Sequence, residues 1–221
     1  MYISFKNIKY YSSNTPNQRF YHRPTELVAK QLLGKKLVRI IHKSKDKTYR
    51  LSGLIVETEA YGFDDDPASH AYRGITPRNM PMFGEVGRAY IYFTYGNYYC
   101  VNVSARSSKV KAGAVLIRAL QPLEGISIMK LLRNTDDEFS LSSGPGKLTQ
   151  ALHIDKSLNG ADMTNATTQL HIEYGINPQR IISSSRIGIR EARDKKWRFL
   201  LATKDELGDL VSKYTSRKKI N

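Results

Sequence analysis

Cysteine is all but missing from this chain of 221 residues: Cys100 stands alone, so no intrachain disulfide can form and no cysteine cluster can hold zinc or an iron–sulfur centre. The five histidines, His22, His42, His70, His153 and His171, are scattered without the close spacing of a metal site, and neither a metal nor a cofactor is expected. Long hydrophobic runs are missing too. No stretch approaches the roughly 20 apolar residues that span a bilayer, and the N-terminus shows no short apolar core followed by a small-residue cleavage site. These absences predict a soluble, intracellular protein. Acidic residues are scarce, 20 against 35 Lys and Arg, which leaves a formal charge of +15 and a pI near 9.8. Each basic residue that neutralises a phosphate releases counterions, so the partner this balance predicts is nucleic acid.

The length allows one domain or two. No linker interrupts residues 20–203, so a single domain is expected over residues 20–221, preceded by an arm at 1–19 whose polar run Ser12-Ser13-Asn14-Thr15-Pro16-Asn17-Gln18 has little regular character. Leu27, Val28, Leu32 and Leu33 recur at helical spacing between Pro24 and the stop signal Gly34. Strands are expected at 37–41 and 49–61, joined by a short charged loop, then at 114–118, 169–173, 185–189 and 197–202, with helices at 126–133 and 147–153. Ala89 to Ser104 reads as two apolar-aromatic strands around Tyr95-Gly96-Asn97. A register centred near Asn97 sets Tyr92 opposite Asn102 and Thr94 opposite Cys100, with Ile91, Phe93, Val101 and Val103 filling the other face. Strand pairs with helices between some of them predict an α+β fold around an antiparallel sheet.

The chemistry concentrates in Glu57-Thr58-Glu59-Ala60-Tyr61. In a strand, a period of two puts Leu54, Val56, Thr58 and Ala60 on one face and Ile55, Glu57, Glu59 and Tyr61 on the other. A carboxylate beside an aromatic suits a pocket that stacks a planar ligand and activates a water next to it. In so basic a protein the planar ligand is a nucleobase. Residues 62–83, with Asp64-Asp65-Asp66-Pro67 and Thr76-Pro77-Arg78-Asn79, read as a long ordered loop of functional rather than periodic character.

Two motifs fail on inspection. Gly144-Pro145-Gly146-Lys147-Leu148-Thr149 resembles a phosphate-binding loop but has Leu141 where glycine is required and Leu148 where Ser or Thr is required. Asp64-Asp65-Asp66 lacks the ligand spacing and downstream Glu of a calcium loop and reads as a solvated acidic turn.

Several blocks in order resemble the alkyladenine (3-methyladenine) DNA glycosylase family over nearly all of residues 20–202: Val56-Glu57-Thr58-Glu59-Ala60-Tyr61, Ser69-His70-Ala71-Tyr72-Arg73-Gly74, Thr76-Pro77-Arg78-Asn79, Tyr90-Ile91-Tyr92-Phe93-Thr94-Tyr95-Gly96, Cys100-Val101-Asn102-Val103, Leu116-Ile117-Arg118-Ala119-Leu120 and Ser143-Gly144-Pro145-Gly146-Lys147-Leu148. The resemblance implies a single mixed domain with a curved antiparallel sheet, a protruding hairpin that inserts into DNA, and release of alkylated or deaminated purines from duplex DNA by a monomer. It also implies roles. Tyr95 is the wedge that fills the vacated stack, Tyr61 and Tyr92 with His70 sandwich the flipped base, and Asn102 rejects the 2-amino group of guanine. Glu59 activates the water and Arg118 helps to hold it; the local chemistry alone leaves Glu57 as an equal rival, and the family pattern selects Glu59.

No lysine Schiff base is called for, so hydrolysis without strand cleavage is expected; the alternatives are a glycosylase that also cleaves the strand and a non-enzymatic protein that stacks unpaired bases. Arg186, Arg190, Arg193, Lys195, Lys196 and Arg198, with Lys213, Arg217, Lys218 and Lys219, are expected along the phosphate backbone. Two positions depart from the family pattern: Asn97, where a larger apolar residue is usual, and Lys196, where Pro often precedes the Trp-Arg-Phe block.

Overall fold

A computed structural model of the chain describes residues 15–44, 47–94 and 96–202. Most of the arm, Tyr95 and the basic tail with Lys213, Arg217, Lys218 and Lys219 lie outside the described residues. The helices are α1 (Gln18–Tyr21), α2 (Thr25–Leu32), α3 (Met80–Phe83), α4 (Ile126–Arg133) and α5 (Pro145–Ala151). The strands are β1 (Lys36–Ser44), β2 (Lys47–Tyr61), β3 (Ala89–Thr94), β4 (Tyr98–Ser104), β5 (Ala114–Glu124), β6 (Leu170–Glu173), β7 (Arg180–Ser184) and β8 (Arg198–Ala202). They form one curled antiparallel sheet in the order β3-β4-β5-β2-β1-β6, with β8 joining β2 and β7 joining β8.

The sheet is organised by β2. One edge pairs with β5 along most of its length; the other pairs with β1 up to Leu54 and then with β8 at Glu57 to Glu59. Helix α2 closes one side of β2, burying Val28, Ala29 and Leu32, and Thr58 Oγ donates to the Ala29 carbonyl at 2.8 Å. Gly34 ends this turn with φ +79°, a left-handed geometry that favours glycine; a Cβ there would meet the Ile176 carbonyl oxygen at 2.4 Å.

The β2–β5 ladder shifts register three times, once at Ser52/Gly53 and then at two offsetting bulges beside the carboxylates. Ile55 pairs with Leu120 and Glu57 with Ala119, so Val56 is an extra residue on β2; Thr58 then pairs with Ile117, so Arg118 is an extra residue on β5. Bulges re-aim side chains, and these two lie where the carboxylates and the arginine meet. They also explain why simple alternation fails at Ile55, which joins Leu54, Val56 and Ala60 in the main core, while Glu57, Glu59 and Tyr61 converge on one site. A second, smaller core of Ala71, Met82, Tyr90, Ala112 and Ala114 supports Tyr61, Phe63, Phe83 and Tyr92.

Three expectations need correction. The strand expected at 185–189 is instead β7, which ends at Ser184; residues 185–197 form a loop that returns to β8. The β3–β4 register is shifted by two residues, pairing Tyr92 with Cys100, Tyr90 with Asn102 and Thr94 with Tyr98. A slip of two preserves the faces but changes the cross-strand neighbours. Phe93, expected to fill the apolar face, is half exposed.

Candidate active site

A pocket opens between the end of β2, the loop after it and the β3–β4 pair. Tyr61, Ala68, His70, Met82, Tyr90, Tyr92, Asn102 and Ala114 line it. The His70 ring packs edge-on to Tyr92 at 4.7 Å between centroids, and its Nδ1 lies 2.9 Å from the Tyr90 hydroxyl. Burial, assisted by the positive charge of Arg78, lowers the His70 pKa, which favours the neutral imidazole. Burial pushes the Tyr90 phenol up to about 12 and raises Tyr92 well above the ordinary tyrosine value. Asn102 Nδ2 donates to the Tyr90 carbonyl at 2.9 Å, a cross-strand bond that fixes the amide at the pocket wall. Asn79 orders the preceding loop: its Nδ2 donates to the carbonyls of His70 (2.7 Å) and Gly74 (2.9 Å).

Behind Tyr61 is a buried charged group. Tyr61 donates its hydroxyl hydrogen to Glu59 Oε2 at 2.8 Å, Arg118 Nη1 donates to the same oxygen at 3.2 Å, and the Ile187 N–H donates to Oε1 at 2.7 Å. Arg118 Nε donates to Glu57 Oε1 at 3.0 Å, and Arg198 Nε to the same oxygen at 2.6 Å. Both carboxylates are fully buried. Burial alone would lower the Arg118 pKa, but Glu59 and then Glu57 outweigh it and hold the guanidinium charged. Burial, then Glu59, raises Tyr61 well above the usual range, so Tyr61 keeps its proton and acts as a donor. The two carboxylates differ: Glu57 is held between two arginines, whereas Glu59 is tied to a pocket wall and to two groups, Arg118 and Ile187, that face an open groove.

That groove, about 1360 Å³ with its open mouth, adjoins the pocket through Ala68, His70 and Tyr92. Arg73, Arg78, Arg118 and Arg190 line it, with Glu191 as its one carboxylate among the described residues. A positively lined groove leading to an aromatic pocket with a buried carboxylate at its side is a place for a polyanion that delivers a planar group.

Comparison with known proteins identifies the class. The family model for methylpurine-DNA glycosylase matches residues 19–205. The chain belongs to this family. A relative from Carboxydothermus hydrogenoformans, named "Putative 3-methyladenine DNA glycosylase", is 46% identical over 203 residues, covering 91% of this chain and 98% of its own. Proteins of the same name from Methanoculleus marisnigri and Chlorobaculum tepidum are 44% and 45% identical, covering 82% and 83% of this chain and 92% and 85% of theirs. Family membership makes this chain a DNA N-glycosylase, a hydrolase of N-glycosyl bonds.

Within the glycosylase, the structure brings together all six described residues singled out from sequence: Tyr61, His70, Tyr92 and Asn102 line the pocket, and Glu59 and Arg118 are bonded to each other at its side. Tyr95 lies outside the described residues. Ala68, Met82, Tyr90 and Ala114 are pocket residues the sequence reading missed; Tyr90 alone carried a signal, as a member of the tyrosine-rich strand. Two arginines assigned to the phosphate backbone are internal instead. Arg198 is buried against Glu57, and Arg186 is buried in a bidentate pair with Asp66. The same pair corrects the reading of Asp64-Asp65-Asp66 as a solvated turn, since Asp66 is wholly buried. Lys195 pairs with Asp65 at 2.6 Å, and Lys196 donates to Ser185 Oγ at 2.9 Å.

Proposed function

We propose that this glycosylase rotates an alkylated or deaminated purine out of duplex DNA, stacks it between Tyr61 and the Tyr92–His70 pair, and hydrolyses its glycosidic bond with a water activated by Glu59. The observation that carries this reading is the junction of the aromatic pocket and the buried carboxylate, made by the Tyr61–Glu59 hydrogen bond. A base in a duplex is unreachable, so chemistry on it requires extrusion. Tyr95 fills the vacated stack in this reading, and Arg73, Arg78 and Arg190 take the backbone phosphates along the groove.

The step balances simply. The bond between C1′ and the purine nitrogen breaks with its electron pair leaving on the base, water oxygen bonds to C1′, and Glu59 takes the water proton. The products are free base and an abasic site. Among the described residues Glu59 accepts from three donors, and a carboxylate offers about four lone-pair directions, which suits a water held between it and Arg118. Its negative charge also steadies the oxocarbenium-like sugar. Bases alkylated at N3 or N7 are cationic and leave readily; they gain about 0.5–2 kcal/mol from the electron-rich tyrosine faces. Neutral bases such as hypoxanthine and ethenoadenine leave once a ring nitrogen takes a proton from solvent. Asn102 is the filter against the guanine 2-amino group.

No lysine lines the pocket or the groove among the described residues, which supports hydrolysis without strand cleavage. The test is incubation with duplexes carrying one hypoxanthine or one 7-methylguanine, followed by borohydride. Free base with an intact, untrapped strand is the expected result; a trapped enzyme–DNA adduct contradicts it.

A further inference from the structure

We propose that the buried Arg186–Asp66 pair is a charge-balanced backing for Tyr61 that positions the pocket wall and keeps it receptive to cationic bases; this rests on the reading above, in which Tyr61 stacks the flipped base. Arg186 Nη1 donates to Asp66 Oδ2 at 2.7 Å and to the Ala60 carbonyl at 2.9 Å, and Nη2 donates to Asp66 Oδ1 at 2.6 Å. The guanidinium carbon lies 4.8 Å from the centroid of the Tyr61 ring and 5.5 Å from that of Trp197. Arg186 contacts the Tyr61 ring but is not among the residues that line the pocket, whereas Tyr61 is. Asp66 also accepts from the Gly62 N–H at 2.9 Å, and the residue after Arg186 is Ile187, whose N–H reaches Glu59. One ion pair thus ties together the end of β2, the loop that follows it and the loop that supplies a donor to Glu59.

Stability alone is a poor reason for this arrangement, because apolar residues of similar volume commonly replace a buried ion pair without loss. The charges have a local consequence instead. A guanidinium behind an aromatic ring repels a second cation on the opposite face, and the interior damps that repulsion far less than water does. Asp66 cancels it. The ring then offers its electron-rich face to a positively charged purine, while the bidentate geometry holds the ring and Ile187 in place.

The experiment compares single-turnover release of 7-methylguanine, a cation, and hypoxanthine, which is neutral, from otherwise identical duplexes by the full chain. Asp66→Asn keeps the shape and removes the carboxylate paired with Arg186. It is expected to lower the ratio of 7-methylguanine to hypoxanthine release about tenfold, the scale of a like-charge interaction across a ring in a partly desolvated site. The double variant Asp66→Asn/Arg186→Met removes both charges. It is expected to restore the native ratio while slowing both bases about tenfold, because Ala60 and Ile187 lose their anchor. A single variant whose ratio stays within twofold of the native value overturns charge balancing. A double variant with native rates overturns positioning, and remains decisive if the single variant fails to fold. Release of neither base by the native chain overturns the underlying reading, and is told apart because no variant is involved.

Discussion

The Tyr61 hydroxyl and the Glu59 carboxylate, 2.8 Å apart, are partners in one hydrogen bond, so the wall of the pocket and the buried acid are directly tied. Tyr61→Phe keeps the ring and deletes the bond. Hydrogen bonds to charged groups contribute about 1.5–3 kcal/mol, so the single-turnover rate of base release is expected to fall about tenfold or more, while affinity for damaged duplex changes little. A parallel loss of affinity would assign the hydroxyl to ligand binding instead.

Glu57 is expected to matter for folding. It is fully buried and accepts from Arg118 at 3.0 Å and Arg198 at 2.6 Å. Glu57→Gln withdraws the charge closest to two buried guanidiniums, a change expected to cost about 3–5 kcal/mol. Urea denaturation measures it; a loss under about 1 kcal/mol would mean that Glu59 alone neutralises the group.

His70 gives a pH signature. Its pKa in the folded chain is lowered from 6.5 by burial, then by Arg78. Between that lowered value and about 6.5 the unfolded chain binds a proton that the folded chain does not, so stability rises with pH through this window and the His70 contribution is complete above it. His70→Gln is therefore expected to flatten the stability loss as pH falls below about 6.5, measured by urea midpoints across pH. An unchanged slope would place that titration elsewhere.

Asn102 is set at the pocket wall by its bond to the Tyr90 carbonyl. If it is the barrier to guanine, Asn102→Ala is expected to release guanine from undamaged duplex, detectable as free base, where the native chain releases none. Continued exclusion of guanine would move the filter to another wall.

Much of this site was legible from alternation and likeness. Period-two patterning placed Glu57, Glu59 and Tyr61 together, and they do converge, although through a pair of bulges at Val56 and Arg118 that no periodicity announces. The two-residue slip between β3 and β4 went unseen because a shift of two preserves the apolar and polar faces, leaving turn geometry as the only arbiter. Arg186 and Asp66 were misread for another reason. Both sit in charged runs that look solvated, and their pairing spans 120 residues, so only the fold brings one to the other. Family likeness selected Glu59 over Glu57; the structure adds a physical difference, since Glu59 touches Tyr61 and Ile187 whereas Glu57 is enclosed by arginines.

The most direct measurement is single-turnover release of hypoxanthine or 7-methylguanine by the native chain and by Glu59→Gln, with binding to the same duplexes followed in parallel. Release by the native chain, with at least a hundredfold loss in a variant that still binds, is the expected result, on the order of what a positioned general base supplies. Equal release by the two proteins would contradict the assignment of Glu59, and tight binding with no release by either would contradict the enzyme reading itself.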